Sequence, residues 1–263
     1  MRLDWDQAIR RAGDLARKAD GAKDLLLFYC RLLQAQKEIY THLKAHARWH
    51  PSGELKLDLP VLRERVSALL LVMASSGSEL LEREAKGLAK QTPAQLDEIL
   101  SAQWHKSADP RFLAKALLQP YARYMAETGV KPVGRTAEAF PTGENSCPFC
   151  RGKAQVSFLA TSQDQEGGRH LLCSSCLSTW AFRRVVCANC GEEDPSKLGY
   201  FKSDQYDHVR IESCDTCKSY IKGIDLTRLG IAVPLVDEVA SAALDLWARD
   251  QGYAKIELNL VGL

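Results

Sequence analysis

Four Cys-x-x-Cys pairs, crowded between Cys147 and Cys217, constrain this chain more than any other feature. The pairs are Cys147/Cys150, Cys173/Cys176, Cys187/Cys190 and Cys214/Cys217. The chain has 263 residues, and its first residues include acids and lack an apolar leader segment. In such a chain, paired cysteines indicate metal or redox chemistry rather than disulfides. The ninth cysteine, Cys30, lies alone in an apolar run and is interpreted as a buried packing residue.

The spacing of the pairs indicates an internal duplication. A shift of 40 residues places the first pair on the third, and a shift of 41 residues places the second pair on the fourth. The residues after the second and fourth pairs also agree in kind, as "LSTWAF" and "KSYIKG". One module of about 40 residues is therefore used twice.

Each module has the pattern of a four-cysteine metal site. A Cys-x-x-Cys turn aims two thiolates at one point, and a β-hairpin brings a second turn opposite it, so that four sulfurs form a tetrahedron. Thiolates in this geometry select zinc or iron, which predicts two metal ions per chain. Pairing within each module is favoured by the duplication, and an interleaved pairing remains open. The predicted ligands are Cys147, Cys150, Cys173, Cys176, Cys187, Cys190, Cys214 and Cys217.

Whether these metals are structural or redox-active stays open at this point. Dithiol catalysis is disfavoured because each pair lies between strand-like runs, whereas a thioredoxin-type pair opens a helix in a βαβ unit.

The first half of the chain has the apolar spacing of helices. The helical pattern is interrupted near Asp20 and resumes, and a further helix is predicted from Pro60 to Ala74, with another from Ser78. Thr92 and Pro93 form a helix start, and Gly129 suits a helix end. Pro120 lies inside the last of these helices and predicts a kink or break there.

The second half alternates strand-like runs with the cysteine pairs. The runs are residues 154–160, 169–173, 179–186, 207–214 and 219–226, and a helix with an apolar face from Val236 to Trp247 follows them. The predicted fold class is α+β: a helical N-terminal domain, two tandem rubredoxin-like or zinc-ribbon modules of four cysteines each, and a C-terminal helix. The predicted divisions are 1–130 for the helical domain, 131–146 for a Pro/Gly-rich linker, 147–186 and 187–225 for the modules, and 226–263 for the C-terminal helix and tail.

Other candidate sites are weaker. His42, His46 and His50 follow each other at four-residue steps, but no glutamate occupies the catalytic position of a metalloprotease helix, so a packed or solvated helix face is the preferred interpretation. His170 and His208 precede the second pair of their modules and are discounted because each module already has four sulfurs. The sequence has no nucleotide-binding or nucleophile motif, which predicts no catalytic and no cofactor-binding residues beyond the metal ligands.

The charge distribution disfavours nucleic acid as a partner. From Glu144 to Gly223 the chain has ten basic and ten acidic residues, and each divalent ion with four thiolates adds about −2. A surface of that sign binds phosphate poorly unless its basic residues are tightly clustered, as Arg183 and Arg184 could be. The longest apolar run is too short to cross a bilayer, so we expect no membrane span and a cytoplasmic location.

The order of motifs resembles the formate dehydrogenase accessory protein family, FdhE. The resemblance rests on "CPFC", "LLCSSCLSTWAFRRVVCANCG", "RIESCDTCKSYIKGIDL" and "ALDLWARDQGY", all in the second half; the helical first half agrees only in kind. Arg151 follows the first pair where the family pattern has Gly, which predicts a slightly different turn there.

The resemblance implies a cytoplasmic accessory factor rather than an enzyme. Such a protein would engage the molybdenum- or tungsten-containing catalytic subunit of formate dehydrogenase and support its maturation. It would carry rubredoxin-like sites that can hold iron, here at the eight cysteines of the four pairs. Two alternatives remain: a rubredoxin-type electron carrier, against which the long helical domain argues, and a nucleic-acid-binding ribbon protein.

Overall fold

The N-terminal half of the chain is a layer of α-helices. The computed structural model describes residues 4–18, 21–46, 49–76, 78–106, 111–134, 144–161 and 167–263. The helices of this half are α1 (Trp5–Lys18), α2 (Lys23–Ala45), α3 (Leu55–Arg63), α4 (Val66–Ala74), α5 (Glu79–Leu88), α6 (Pro93–His105) and α7 (Phe112–Thr128). Most of the predicted linker, residues 135–143, lies outside the described residues, as does the predicted interruption at Asp20.

The predicted start of α6 and the predicted end of α7 are confirmed. Thr92 accepts a hydrogen bond from the backbone of Gln95, and the Gln95 side chain bonds back to the backbone of Thr92, which forms a complete capping box. Gly129 ends α7 with φ of 76°, a left-handed conformation that glycine adopts without steric cost.

The prolines interrupt the helices less than the sequence predicts. Pro120 was expected to kink or break α7, but the helix continues through it. A proline leaves the carbonyl four residues earlier without its N–H donor. Here that carbonyl belongs to Ala116, and the buried Gln36 amide donates to it at 3.0 Å. The side chain of a neighbouring helix therefore restores the hydrogen bond that Pro120 removes.

The helix predicted from Pro60 to Ala74 is wrong in its bounds. The structure instead has α3, which begins at Leu55 and contains Pro60, followed by a break at Glu64 and Arg65 before α4. The early start is stabilised by Asp58 in the first turn, whose buried carboxylate accepts hydrogen bonds from the Trp49 indole, the Ser52 backbone and the Tyr121 hydroxyl. These contacts, of which the one from Tyr121 is distant in sequence, outweigh the local preference of proline for a helix start.

The C-terminal half contains a mixed β-sheet. Its strands are β1 (Ala154–Ala160), β2 (Gly168–Cys173), β3 (Thr179–Ala181), β4 (Leu198–Lys202), β5 (Val209–Cys214), β6 (Ser219–Asp225) and β7 (Ala254–Lys255), in the order β3-β2-β1-β6-β5-β4 with β7 also paired to β6. Each module supplies an antiparallel set of three strands. The two sets meet where β1 and β6 pair in parallel, from Val156 opposite Lys222 to Leu159 opposite Asp225.

The predicted C-terminal helix is divided into α8 (Pro234–Ala240) and α9 (Ala242–Asp250). Ser241 lies between them, and its hydroxyl donates to the carbonyls of Asp237 at 2.8 Å and Glu238 at 3.1 Å. A serine that hydrogen-bonds preceding carbonyls competes with helix continuation. The buried Lys222 ammonium of β6 also donates to the carbonyls of Glu238 and Ser241, so a side chain of the sheet hydrogen-bonds carbonyls at the helix break.

One continuous cluster of buried side chains joins the helical layer to the sheet. It runs from α1 and α2 through Leu117 and Tyr121 of α7 to Cys173, Cys176 and Phe158 of the first module. The predicted α+β class, with helices first, two four-cysteine modules next and helices again at the end, is confirmed.

Candidate metal centres

Each Cys-x-x-Cys pair folds into a tight turn, and all four turns share one backbone feature. The residue after the second cysteine is left-handed, with φ of 58° at Arg151, 56° at Leu177, 79° at Gly191 and 52° at Lys218. In the first turn the Arg151 N–H donates to the Cys147 carbonyl at 2.8 Å, as Gly191 does to Cys187 at 3.0 Å in the third. The turn at Arg151 therefore has the same form as the others, contrary to the expectation from its missing glycine.

This conformation is strained at three of the four turns. A non-glycine residue in the left-handed region costs roughly 1–2 kcal/mol. Arg151, Leu177 and Lys218 therefore occupy a conformation that the rest of each turn has to stabilise. The strained backbone aims both cysteines of a pair toward the same point, which is the geometry that a shared ligand requires.

The first group of sulfurs comprises Cys147, Cys150, Cys173 and Cys176, whose ligand atoms all lie within 4.8 Å of one another. The Sγ atoms of Cys147 and Cys176 are 3.6 Å apart, and those of Cys150 and Cys173 are 3.4 Å apart. A tetrahedron with metal–sulfur bonds of ~2.3 Å has sulfurs about 3.8 Å apart. The first group is therefore close to the geometry of a bound ion, and each of its cysteines is at most 1% exposed.

The second group comprises Cys187, Cys190, Cys214 and Cys217, with the same 4.8 Å limit. The Sγ atoms of Cys187 and Cys217, and those of Cys190 and Cys214, are each 3.7 Å apart. Cys190 is exposed and Cys217 is half-buried, whereas Cys214 is buried. In both groups the structure brings together the cysteines of one module, so the interleaved pairing is not the one adopted.

Comparisons with known proteins match both modules. The description "FdhE, central domain" fits residues 146–184, and "FdhE, C-terminal domain" fits residues 185–261. A "Protein FdhE homolog" of Aquifex aeolicus is 46% identical over 45% of this chain and 42% of that protein. A homolog from Yersinia enterocolitica is 26% identical over 90% of this chain and 81% of that protein. Residues 146–261 of this chain are thus similar to the central and C-terminal domains of FdhE proteins.

The likeness extends to the helical half at the level of fold. The crystal structure of the FdhE protein from Pseudomonas aeruginosa superposes with a TM-score of 0.70, covering 99% of this chain and 97% of that one at 22% identity. The match to the Shewanella oneidensis FdhE homolog, at 29% identity, spans 60% of that relative's length. The chain therefore spans about half the length of these relatives, 42% of the Aquifex protein and 60% of the Shewanella protein.

The surroundings of the sulfurs fit a bound metal ion. The backbone N–H of Ser175 donates to Cys173 Sγ at 3.4 Å, and that of Asn189 donates to Cys187 Sγ at 3.4 Å. Such hydrogen bonds favour the thiolate form and orient the ligand. A Cβ atom added at Gly152 would lie 2.9 Å from Cys173 Sγ, so the backbone closes tightly over the first group. Both groups could therefore hold a metal ion.

The thiols differ in how readily they lose a proton. Burial raises the pKa of the Cys173 and Cys176 thiols well above the usual value, and neighbouring sulfurs raise it further. In the second group, burial also opposes ionisation of Cys217, but hydrogen bonds from Ser219 and Asn189 lower the pKa of that thiol to about 7. Without an ion, burial thus opposes negative charge on Cys173 and Cys176, and a divalent cation would neutralise that charge.

The histidines set aside from the sequence lie elsewhere. The His170 ring stacks on Phe158 at 5.2 Å, and His208 Nε2 lies 2.9 Å from an oxygen of Asp237. His42 contacts Glu64 at 3.1 Å, and α2 ends at Ala45, before His46. Among the described residues, neither these histidines nor any acid joins a further group of ligand atoms.

The remaining cysteine is half-buried rather than fully buried. Cys30 Sγ lies 3.6 Å from the Ile9 carbonyl oxygen, and the side chain packs on the main core, as its interpretation as a packing residue requires.

Two buried side chains that the sequence did not single out, Arg169 and Glu212, join the two modules. Buried Glu212 of β5 accepts from Arg169 of β2 at 2.5 Å and from Arg210 at 2.6 Å. The Arg169 guanidinium also donates to the carbonyls of Arg183 and Val186. The two arginines hold the pKa of the Glu212 carboxyl below its usual range, against the effect of burial. The sequence does carry a signal for this pair of arginines, because the 41-residue shift of the duplication places Arg169 on Arg210.

Proposed function

We propose that this chain is an accessory protein of formate dehydrogenase, acting in the cytoplasm without turning over formate itself. It binds the catalytic subunit of that enzyme and supports its maturation. The single observation that carries the proposal is the presence of two complete four-sulfur groups in a chain similar to FdhE proteins. Each group holds one metal ion, iron or zinc, through Cys147, Cys150, Cys173 and Cys176 or through Cys187, Cys190, Cys214 and Cys217.

The proposed role of the first ion is to fix the sheet against the helices. The Gln119 amide of α7 donates to the Ser174 carbonyl at 2.9 Å, and Arg123 donates to the Leu177 carbonyl at 3.3 Å. Both carbonyls belong to the second cysteine turn of the first module. An ion held by buried thiolates supplies folding free energy, so these contacts depend on a turn that the ion would lock.

The surface that this scaffold supports is suited to a protein client. Net charge is only +2, so no strong overall field favours nucleic acid or an anionic surface. Among the described residues, no helix is both long and apolar enough to cross a membrane. Exposed large apolar side chains of the C-terminal half include Val185, Tyr200, Phe201 and Leu246. Such side chains on a rigid sheet favour contact with another protein.

The first test is metal content. Elemental analysis of the protein purified without oxygen should give about two ions of iron and zinc together per chain. Cys30→Ser should leave that content unchanged, because Cys30 lies outside both groups. A folded chain that carries no metal would contradict the proposal at its base.

The second test addresses the client. A strain lacking the gene should lose formate oxidation, and the wild-type chain and Cys30→Ser should restore it. Variants with Cys187 and Cys190, or Cys214 and Cys217, replaced by Ser should restore it poorly, and the purified protein should not oxidise formate. Tagged wild-type chain should capture the catalytic subunit from cytosol. Full formate dehydrogenase activity in the deletion strain, with no second accessory protein present, would contradict the proposed accessory role.

Electron transfer is the second candidate function, and the exposure of the second group favours it. Cys190 is exposed and Cys217 half-buried, so an iron held there would lie near the surface, as a rubredoxin-type electron carrier needs. Iron would give the protein a visible absorption that zinc lacks, and that absorption should bleach reversibly on reduction. A colourless zinc protein with full complementing activity would exclude this candidate.

A further inference from the structure

The free edge of β4 has the features of a peptide-binding strand. Strand β4 is the last in the sheet order, and among the described strands it pairs only with β5. An edge strand presents a row of backbone groups that an extended chain can satisfy. The other end of the sheet is β3, which has only three residues, Thr179–Ala181, against the five of β4.

The register of the β4–β5 ladder identifies which backbone groups point outward. The Asp215 N–H donates to the Lys197 carbonyl at 2.8 Å, which makes Lys197 and Asp215 a hydrogen-bonded pair. In an antiparallel ladder, hydrogen-bonded and non-hydrogen-bonded pairs alternate. Tyr200 and Lys202 therefore belong to non-hydrogen-bonded pairs, and their N–H and C=O groups face away from β5. Within the described part of the chain, these outward backbone groups have no backbone partner.

Exposed apolar side chains lie on both faces of this edge. On one face, the Phe201 ring packs on Trp247 of α9 with ring centroids 4.9 Å apart. On the other face, the Tyr200 hydroxyl donates to the Arg184 carbonyl at 3.2 Å, and Val185 next to it is 47% exposed. Both β4 aromatics are themselves exposed. An added strand would therefore meet one exposed aromatic side chain of β4 on each face.

We propose that the outer edge of β4 binds an extended apolar segment of the client protein as an additional strand. The inference rests on the proposed function, because it takes the formate dehydrogenase catalytic subunit as the client. The main-chain groups of Tyr200 and Lys202 bind the backbone of the segment. The apolar side chains on the two faces select a segment in which neighbouring residues, not only alternate ones, are apolar. Leu198 of β4 pairs with the ligand Cys214 of β5, so the proposed binding edge belongs to the same hairpin as a cysteine of the second sulfur group.

The test removes the outward N–H groups without removing strand β4. Proline lacks the N–H but is tolerated at an edge position whose N–H faces solvent. We therefore compare the double variant Tyr200→Pro/Lys202→Pro with the matched control Tyr200→Ala/Lys202→Ala, which loses the same side chains and keeps both N–H groups. Capture of the catalytic subunit should fall about tenfold or more further in the proline variant than in the alanine variant, at similar thermal stability of the two chains.

Hydrogen exchange supplies a readout that does not depend on a variant. The Tyr200 and Lys202 amides should exchange rapidly in the free chain and at least about tenfold more slowly in the complex. If proline and alanine variants capture the subunit equally well, or these amides stay unprotected in the complex, strand addition is overturned.

Two further outcomes separate the possible causes of failure. A wild-type chain that forms a dimer, which the proline variant dissociates, would assign the edge to a second copy of this chain and overturn the client proposal. A wild-type chain that captures no catalytic subunit would overturn the proposed function itself, and this inference with it. Equal capture by the wild type and by both variants would overturn only the inference.

Discussion

The two four-cysteine modules have the same turn geometry and opposite surroundings. In both, the residue after each cysteine pair is left-handed, and the sulfurs lie within 4.8 Å of one another. The first group is enclosed, with every cysteine at most 1% exposed, whereas Cys190 of the second group is exposed. A duplicated turn and hairpin thus fix the ligand geometry, and the packing of the rest of the chain decides how accessible each group is.

The difference arises from one helix. The α7 side chains Gln119 and Arg123 donate to carbonyls of the second turn of the first module. The second module is held by other contacts, which include the buried Arg169–Glu212 pair with the first module, His208 with α8, and Lys222 with α8 and α9. The first group is therefore part of the main core, and the second group lies at the end of a sheet that the core supports.

The largest expected effect comes from removing ligands of the first group. In Cys173→Ser/Cys176→Ser, the metal contribution to folding is lost inside the core shared with the helices. Structural zinc contributes ~10–16 kcal/mol in small domains, which exceeds the typical net stability of a protein. We expect loss of cooperative unfolding and of much of the far-ultraviolet circular dichroism, measured by thermal denaturation.

The matched change in the second group should act locally. Cys187→Ser/Cys190→Ser should make residues 187–225 sensitive to protease while the helical signal persists. Helices that survive both double changes equally would show that residues 1–130 fold as an independent domain, as the sequence predicts. Equal collapse in both variants would mean that the two groups do not differ in their coupling to the core.

The shared geometry of the modules could be predicted from the sequence, and their different burial could not. The repeated Cys-x-x-Cys spacing specifies the turns by itself, and the predicted strand at residues 154–160 is confirmed in both bounds. In contrast, β4 has the sequence LGYFK, with no alternation of apolar and polar residues, and was not predicted. The parallel pairing of β1 with β6 joins residues about 66 positions apart, and no local pattern encodes such a contact.

Distant side chains also explain where the predicted kink and one predicted strand differ from the structure. Pro120 would break an isolated helix, but the Gln36 amide replaces the missing donor from 84 positions away. A strand prediction fails for a similar reason: residues 179–186 are β-prone, yet only Thr179–Ala181 form a strand, since the carbonyls of Arg183 and Val186 bind the Arg169 side chain instead. In each case a distant buried polar side chain outweighs the local preference.

One glycine lies beside each sulfur group, Gly152 at the first and Gly191 at the second. Gly152→Ala would place a Cβ atom 2.9 Å from Cys173 Sγ and 3.3 Å from Cys150 Sγ, inside the first group. Overpacking at such a site costs about 1–3 kcal/mol. We expect a metal content that falls toward one ion per chain, measured by elemental analysis together with the unfolding midpoint.

Gly191→Ala is the matched control at the second group. Its Cβ atom would be no closer than 3.5 Å to any neighbour, so only the left-handed φ of 79° opposes the change. That strain costs roughly 1–2 kcal/mol and leaves the sulfurs in place. We expect two ions per chain in this variant; a larger metal loss here than in Gly152→Ala would reverse the ranking of the two groups.

Metal release should separate the groups kinetically. Ligand exchange by a chelator requires access to the sulfurs, which the second group offers at Cys190 and the first group does not. We expect two phases of release with rate constants at least about tenfold apart, because the first group must open before it exchanges. The Cys187→Ser/Cys190→Ser variant should show the slow phase alone. A single phase for the wild-type chain would mean that burial does not control exchange.

The smallest expected effect concerns pH and the attachment of each module to the helices. His208 precedes β5 of the second module, and its imidazole lies 2.9 Å from the Asp237 carboxylate of α8. The Arg11 guanidinium of α1 lies 2.5 Å from the same carboxylate. The Asp207 carboxylate also faces the imidazole, at 3.4 Å. The hydrogen bond to Asp237 raises the pKa of His208 above its usual value, against the effect of burial. The stabilisation from the charged imidazole is therefore complete below about pH 6.5 and is lost as pH rises through the higher pKa of the folded state.

The measurement compares unfolding free energies by denaturant titration between about pH 6 and pH 8. As pH rises across this range, the unfolding free energy of the wild type should fall by about 1 kcal/mol relative to that of His208→Gln. The pKa of Asp237 is lowered by His208 and Arg11 despite burial, so its own contribution is lost only in acid, below this window. Gln119→Leu, which removes the contact of α7 with the first module, should lower stability by about 1–3 kcal/mol equally at both pH values, because an amide does not titrate there. A pH dependence unchanged by His208→Gln would show that the link between the second module and the helices does not depend on this proton.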